Sequence, residues 1–189
     1  MHGNLSAIGS FTQTAGVIQF VGDSIQNISG ITGYDVIVNN HHGIVLTGNL
    51  KITDTLKLTN GIISTDTFYT QVLNNAPGAI AGASDTSYIN GKLIRKVGVG
   101  LYSLPVGSSA HYQLAKINFN SNPVKADSNS ISTLTASFTS SNSGCTGVVS
   151  GNNLYVNGLP MVGLLNGGYW TIKPGSETYD SINYDVTLN

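Results

Sequence analysis

The sequence predicts an all-β protein: a short parallel β-helix-like N-terminal part followed by an antiparallel β-sandwich. Three observations carry that expectation. Glycine is followed repeatedly by aliphatic pairs, as in Gly16-Val17-Ile18, Gly43-Ile44-Val45 and Gly61-Ile62-Ile63, at steps of 27 and 18 residues. A looser Gly78-Ala79-Ile80 follows 17 residues on. Short strands and turns recurring about every twenty residues are a mark of stacked β-repeats, in which no unit buries its apolar face alone. Charged residues are only 9% of the 189, against roughly 25% in ordinary soluble domains. Polarity comes instead from 21 Ser, 20 Asn and 18 Thr, residue types of strand surfaces and turns. Helix formers are scarce: Glu177 and Arg95 are the single Glu and the single Arg.

Taken in order, residues 5 to about 75 form the first unit. Val17, Ile18 and Phe20, then Val36, Ile37 and Val38, then Ile44, Val45 and Leu46 are apolar runs of strand length. Gly22-Asp23-Ser24, Ser29-Gly30, Asn39-Asn40-His41-His42-Gly43 and Thr47-Gly48-Asn49 separate them with turn chemistry. Leu50, Ile52, Leu56 and Leu58 alternate with polar residues, and Asp54 breaks the parity, which predicts a turn or bulge there. A winding parallel coil fits this spacing better than long hairpins; a meander of antiparallel hairpins is the competing arrangement. Residues 76–100 are transitional, with turns at Ala76-Pro77-Gly78 and Gly82-Ala83-Ser84-Asp85. From Leu101 the repeat ends and longer alternating strands begin. Leu134, Ala136 and Phe138 share one face, as do Ile182, Tyr184, Val186 and Leu188. The expected domains are therefore a β-helix-like repeat domain over 1–100 and a β-sandwich domain over 101–189.

Composition excludes several functions. A formal net charge of −1 gives no electrostatic footprint for nucleic acid or an anionic membrane. Lys92, Arg95 and Lys96 read as a solvated strand face. No apolar run reaches the roughly 18 residues of a membrane span. The lone Cys145 rules out an internal disulfide framework and is expected to pack as a small hydrophobe. Met1-His2-Gly3-Asn4 lacks the features of a secretory signal, which leaves a cytosolic protein or a processed piece of an exported one, and the composition favours the piece. Carboxylates are too scattered for hydrolase or lyase chemistry, and Ser109 and His111 lack a nucleophile elbow. His41-His42 reads as an exposed turn, not a metal site. The expectation is a protein that is not an enzyme and holds no cofactor or metal. Tyr102, Tyr112, Tyr155 and Tyr169 are candidate stacking platforms for sugars, while Trp170 beside Ile172 belongs to the core.

Leu56-Lys57-Leu58-Thr59-Asn60-Gly61-Ile62-Ile63, then Ser87 to Lys96, Tyr102-Ser103-Leu104-Pro105-Val106-Gly107, Tyr112, Tyr169-Trp170-Thr171-Ile172 and Tyr184-Asp185-Val186-Thr187-Leu188 occur in an order that resembles a module of Bacteroidetes surface proteins associated with type IX secretion. The resemblance covers most of residues 50–189. Lys92 replaces a frequent Pro, Gln113-Leu114 replaces an Arg-Pro, and the terminal sorting domain is missing. The resemblance implies an extracellular or cell-surface adhesin-like or structural protein and supplies no catalytic residues. It also implies O-glycosylation at Asp-(Ser/Thr)-aliphatic sites, which points to Ser24, Thr55 and Ser181; the same dipeptides also simply begin turns.

The expected function is a structural or adhesive surface module that self-associates head to tail through open β edges, forming a filament or surface layer. No amphipathic, charged or Pro-rich cap precedes Leu5, and the strand expected at Ile182–Leu188 offers Ile182, Tyr184, Val186 and Leu188 as the association edge. The expected partners are other copies of the chain and surface glycans. The alternative is a monomeric carbohydrate-binding module of a larger adhesin.

Overall fold

A computed structural model describes residues 1–6, 9–109, 111–121, 124–125, 128–131, 133–140, 155–156, 159–160, 168–175 and 184–188. Four coils of three short strands each build the first half. The first holds β1 (Phe11–Thr12), β2 (Val17–Phe20) and β3 (Gln26–Ile28). The second holds β4 (Ile31–Gly33), β5 (Asp35–Asn39) and β6 (Ile44–Leu46). The third holds β7 (Leu50–Ile52), β8 (Leu56–Asn60) and β9 (Ile63–Ser64). The fourth holds β10 (Thr70–Val72), β11 (Ile80–Ala81), preceded by a single 3-10 turn over Pro77–Ala79, and β12 (Ile89–Asn90). Each strand pairs in parallel with its counterpart one coil away. The parallel coil therefore replaces the competing hairpin meander.

Next come β13 (Leu93–Lys96) and β14 (Gly100–Gly107), still parallel to β10 and β12. Thereafter the chain turns antiparallel. β15 (Tyr112–Phe119) pairs with β14, and β16 (Val124–Lys125) pairs with β17 (Ser128–Ile131). β18 (Thr133–Thr139) pairs with β13, and β19 (Tyr155–Val156) pairs with β20 (Leu159–Pro160). β21 (Tyr169–Pro174) joins β18, and β22 (Tyr184–Leu188) joins β15. Three walls result. The first sheet runs β1-β4-β7-β10-β13-β18-β21, the second β2-β5-β8-β11, and the third β3-β6-β9-β12-β14-β15-β22. The sandwich is thus two walls of the coil carried on after the second wall stops.

The core follows from period-two alternation in every wall. Ile18, Val36, Leu56 and Ile80 stack in one column of the second sheet, and Phe20, Val38 and Leu58 fall in the next. Leu50, Ile52, Leu56 and Leu58 all point inward, and Asp54 sits at the corner between β7 and β8, as the broken parity predicts. Each fully buried aliphatic side chain stabilises the fold by about 2 kcal/mol. One buried cluster extends from Ile18 to Phe138, so apolar packing runs unbroken across residue 100, the expected domain boundary.

Two sequence-based expectations need correction. The glycine steps of 27, 18 and 17 mix two different corners. Gly43 and Gly61 stack on each other ahead of the third sheet, whereas Gly16 and Gly78 precede strands of the second. The true period is set by the column Phe11, Ile31, Leu50, Thr70 and Leu93, whose members pair directly. Nor is the starting end bare. The Leu5 N–H donates to the Asn27 carbonyl (3.0 Å), the Ser29 N–H donates to Leu5 (2.9 Å), and Val21 donates to Met1 (3.0 Å). Residues 1–5 thereby cover the edge of β3 and the end of β2, without the charge or Pro that marks a cap in sequence.

Gly61 has φ +96, and a Cβ there would overlap the Asn40 carbonyl oxygen. Gly61→Ala is expected to lower unfolding stability by about 3 kcal/mol in urea titrations. Gly78→Ala, with open space around it and no positive φ, should stay within about 0.5 kcal/mol of the parent.

Candidate functional site

Among the described residues, apolar burial is incomplete at the end of the sandwich. β21 and β22 are the outermost strands of the first and third sheets, each with one described neighbour. Leu188, Val186 and Tyr184 pair with Ala115, Ile117 and Phe119, which are all buried, so all three point between the sheets. Yet Tyr184, Val186 and Leu188 are 52%, 45% and 53% exposed. Facing them, Pro174 and Ile172 pair with buried Leu134 and Ala136. Between the two walls lies an apolar groove of about 260 Å³, lined by Ile117, Phe119, Leu134, Ile172, Pro174, Tyr184 and Val186. Of the expected edge residues, Tyr184, Val186 and Leu188 come together here; Ile182 lies outside the described residues.

The tyrosines singled out as sugar platforms scatter. Tyr102 is a correction. It is fully buried, its hydroxyl donates to the Asn75 carbonyl (2.6 Å) and accepts from the Gly98 N–H (2.8 Å), and its ring meets Phe119 edge-on. A ring enclosed on the inward face of β14 has no surface to offer a ligand. Tyr169 is exposed at the start of β21. Tyr155 lies on β19, and its side chain is outside what the structure describes. Trp170 packs edge-on against Phe138, centroids 5.4 Å apart, as a core residue does.

Tyr112 lines a depression. With Leu114 and Lys116 of β15 and Ser103 and Pro105 of β14 it forms the floor of a concavity of about 260 Å³, walled by Ile80–Ala83. Its ring packs on Tyr88, centroids 5.6 Å apart. Burial, with a smaller contribution from the charge of Asp85, pushes both phenols above their ordinary pKa and keeps them neutral donors. The Tyr88 hydroxyl is spent on the Ser108 carbonyl (2.7 Å).

Of the Asp-Ser/Thr sites, Ser24 and Thr55 are exposed on corners of the coil. The Thr55 hydroxyl donates to the Asp35 carboxylate, which also accepts the Thr55 N–H (3.1 Å). Ser181, like Cys145, lies outside the described residues. His41 and His42 lie in an exposed turn with their rings tilted against each other, centroids 3.8 Å apart. Among the described residues no three His, Cys, Asp or Glu side chains gather as a metal site would need. No described helix is long and apolar enough to cross a membrane.

Arg95 reverses the expectation of a solvated cationic face. Lys92 is exposed and Lys96 half-exposed, but Arg95 is fully buried in the core. Its guanidinium donates to the carbonyls of Ser103 (2.8 Å), Ala76 (3.0 Å) and Pro77 (2.6 Å) and lies 4.8 Å from the centre of the Tyr102 ring. Burial pulls its pKa down to about 10, partly offset by Tyr102, so it is charged at neutral pH. Strand parity could have revealed it: in Leu93-Ile94-Arg95, Arg95 stands two positions after an inward Leu, on the same face.

No protein family, curated protein or solved structure matches the chain.

Removing the guanidinium leaves three carbonyls dry. Arg95→Ala is expected to cost about 3 to 5 kcal/mol, measured by urea unfolding of the whole chain. Arg95→Lys should recover less than half of that loss, because one ammonium cannot reproduce the forked donor geometry.

Proposed function

We propose that the chain is a non-catalytic structural or adhesive module of an extracellular bacterial surface protein, which associates head to tail with copies of itself through open β edges. The observation that carries this reading is the unfinished end of the sandwich. Two outermost strands there present half-exposed apolar faces across a groove. Strand direction supports it as well. β18 and β21 are successive antiparallel reversals, as are β15 and β22, so each final strand again runs the way its sheet began. A simple translation along the coil axis can therefore continue a sheet from copy to copy, a heterologous contact that builds filaments. Low charge removes the electrostatic barrier to such contacts. The surface location rests on the Ser/Thr/Asn-rich composition and on the resemblance to Bacteroidetes surface modules. Glycans on Ser24, Thr55 or Ser181 would add bulk and solubility to such a surface.

The first and third sheets each hold seven strands. At strand spacings of 4.7–4.9 Å, a continued sheet gives an axial repeat of about 34 Å. Negative-stain electron microscopy and light scattering across a concentration series should show filaments with that repeat. A monodisperse monomer at every concentration would overturn the reading.

The Tyr112 depression favours surface glycans as further partners. Leu114, Pro105 and the Tyr112 ring give it an apolar floor, with Lys116 and Ser103 at one end. Tyr112→Ala is expected to abolish any saccharide binding seen by calorimetry. Binding that survives the substitution would remove the site.

A further inference from the structure

We propose that the contact between copies is made by the first sheet: β1 of one copy adds in parallel to the free edge of β21 of another, with Phe11 seated at the mouth of the apolar groove. This assignment rests on the head-to-tail reading and names the surfaces that meet. It is carried by register. Phe11 pairs with Ile31, Ile31 with Leu50, Leu50 with Thr70, Thr70 with Leu93, Leu93 with Ala136 and Ala136 with Ile172. One unbroken inward-facing column thus joins the first strand of the sheet to the last. Translating the molecule by seven strand spacings along its axis sets Phe11 of the next copy directly beside Ile172. Thr12 falls beside Lys173 in the adjacent outward-facing column.

Chemistry at the two edges is complementary. Phe11 occupies a core column but is 38% exposed, and no described strand lies beyond it. Ile172 lines the groove, together with Pro174, Tyr184 and Val186. An aromatic ring arriving next to Ile172 on the inward side would cover this opening, and its own exposed face would be buried in the same step. The backbone supplies the rest. β1 and β21 each have one edge that no described strand pairs with and, by strand direction, meet in parallel, the pairing already used between β1 and β4. Addition of a strand to an open edge gives affinity through main-chain hydrogen bonds and specificity through alternate side chains.

The other walls cannot supply the backbone contact. On the third sheet, Leu5 already pairs with β3. Moreover, Leu188 stands in the Leu104 column, whereas Gln26 stands in the Val106 column, two residues further along. The described part of β22 therefore does not reach the columns of β3 in the next copy, and it contributes a groove wall. The second sheet stops at β11, far short of the end of the sandwich.

The test is intermolecular disulfide trapping in a Cys145→Ser background. Thr12→Cys and Lys173→Cys lie in one outward-facing column, so the doubly substituted chain should give a ladder of covalent oligomers on mild oxidation. A mixture of the two single variants should give a covalent dimer, and Lys57→Cys with Lys173→Cys should give neither. Phe11→Asp should raise the concentration for half-assembly at least tenfold while leaving thermal unfolding of the monomer unchanged. If filaments form but the 12–173 link exceeds the 57–173 control in no experiment, or Phe11→Asp assembles like the parent, the edge assignment falls while self-association stands. If nothing assembles at any concentration, both fall.

Discussion

The buried fork of Arg95 joins two kinds of architecture. A three-walled coil closes its own interior, but the second wall ends at β11 while the other two continue. The interior beneath β13 and β14 then loses a side. Arg95 stands in the inward column Gly33, Ile52, Val72, Arg95, Leu134 and Pro174, the one charged member of an otherwise apolar row. Its length lets it reach from the first wall to carbonyls at the approach to β11 and on β14 of the third wall. Among the described residues no carboxylate answers the charge. Three carbonyl dipoles and the face of Tyr102 do, and a delocalised guanidinium tolerates that better than an ammonium would. Tyr102 in turn ties Asn75 and Gly98, so the loops that replace the missing wall hang from two adjoining side chains.

This explains what could and could not be read from the residues alone. The alternation of Leu50, Ile52, Leu56 and Leu58 around Asp54 is local, and it marked two strands and the corner between them. Leu134, Ala136 and Phe138 were legible for the same reason. The coil period was blurred because every corner can use a glycine, and Gly43 and Gly16 serve different ones. Tyr102 looked available because aromatic residues in a polar, low-charge chain suggest recognition. Its burial follows from the end of the second wall, a long-range fact. Arg95 was misread because charge outweighed parity. The pairing of residues 1–5 had no local signature at all; it depends on two sheets being assembled first. At the candidate site, the inward parity of Tyr184, Val186 and Leu188 was visible, but their half-exposure depends on how far the opposite wall extends.

The second half is not laid beside the first as a separate sandwich. It inherits two walls, their columns and their strand spacing. Parallel stacking makes each coil depend mainly on its neighbours, as in other one-dimensional repeats, and β14 and β13 carry that dependence into the antiparallel part. Two reversals in each wall then restore the original strand direction. A single reversal would have left β21 and β22 running against β1 and β3, and translation could not then have matched parallel edges.

Open edges are ordinarily blunted by charge, proline, bulges or covering segments, and this chain applies those devices unevenly. Residues 1–5 cover the start of the third wall and the end of β2, whereas no described residue pairs with the outer edge of β1. At the far end Lys173 and Pro174 occupy β21. Lys173 points outward, where its ammonium stays hydrated whether or not a strand is added, so it does not oppose pairing at its own column. Pro174 lacks an N–H and limits how far a new strand can extend. A short strand such as β1, only Phe11–Thr12, suits that limit. Two backbone residues are few for a stable contact, so most of the affinity would have to come from covering the groove. The half-exposed faces of Tyr184, Val186 and Leu188 supply apolar area there that no described residue of the same chain covers.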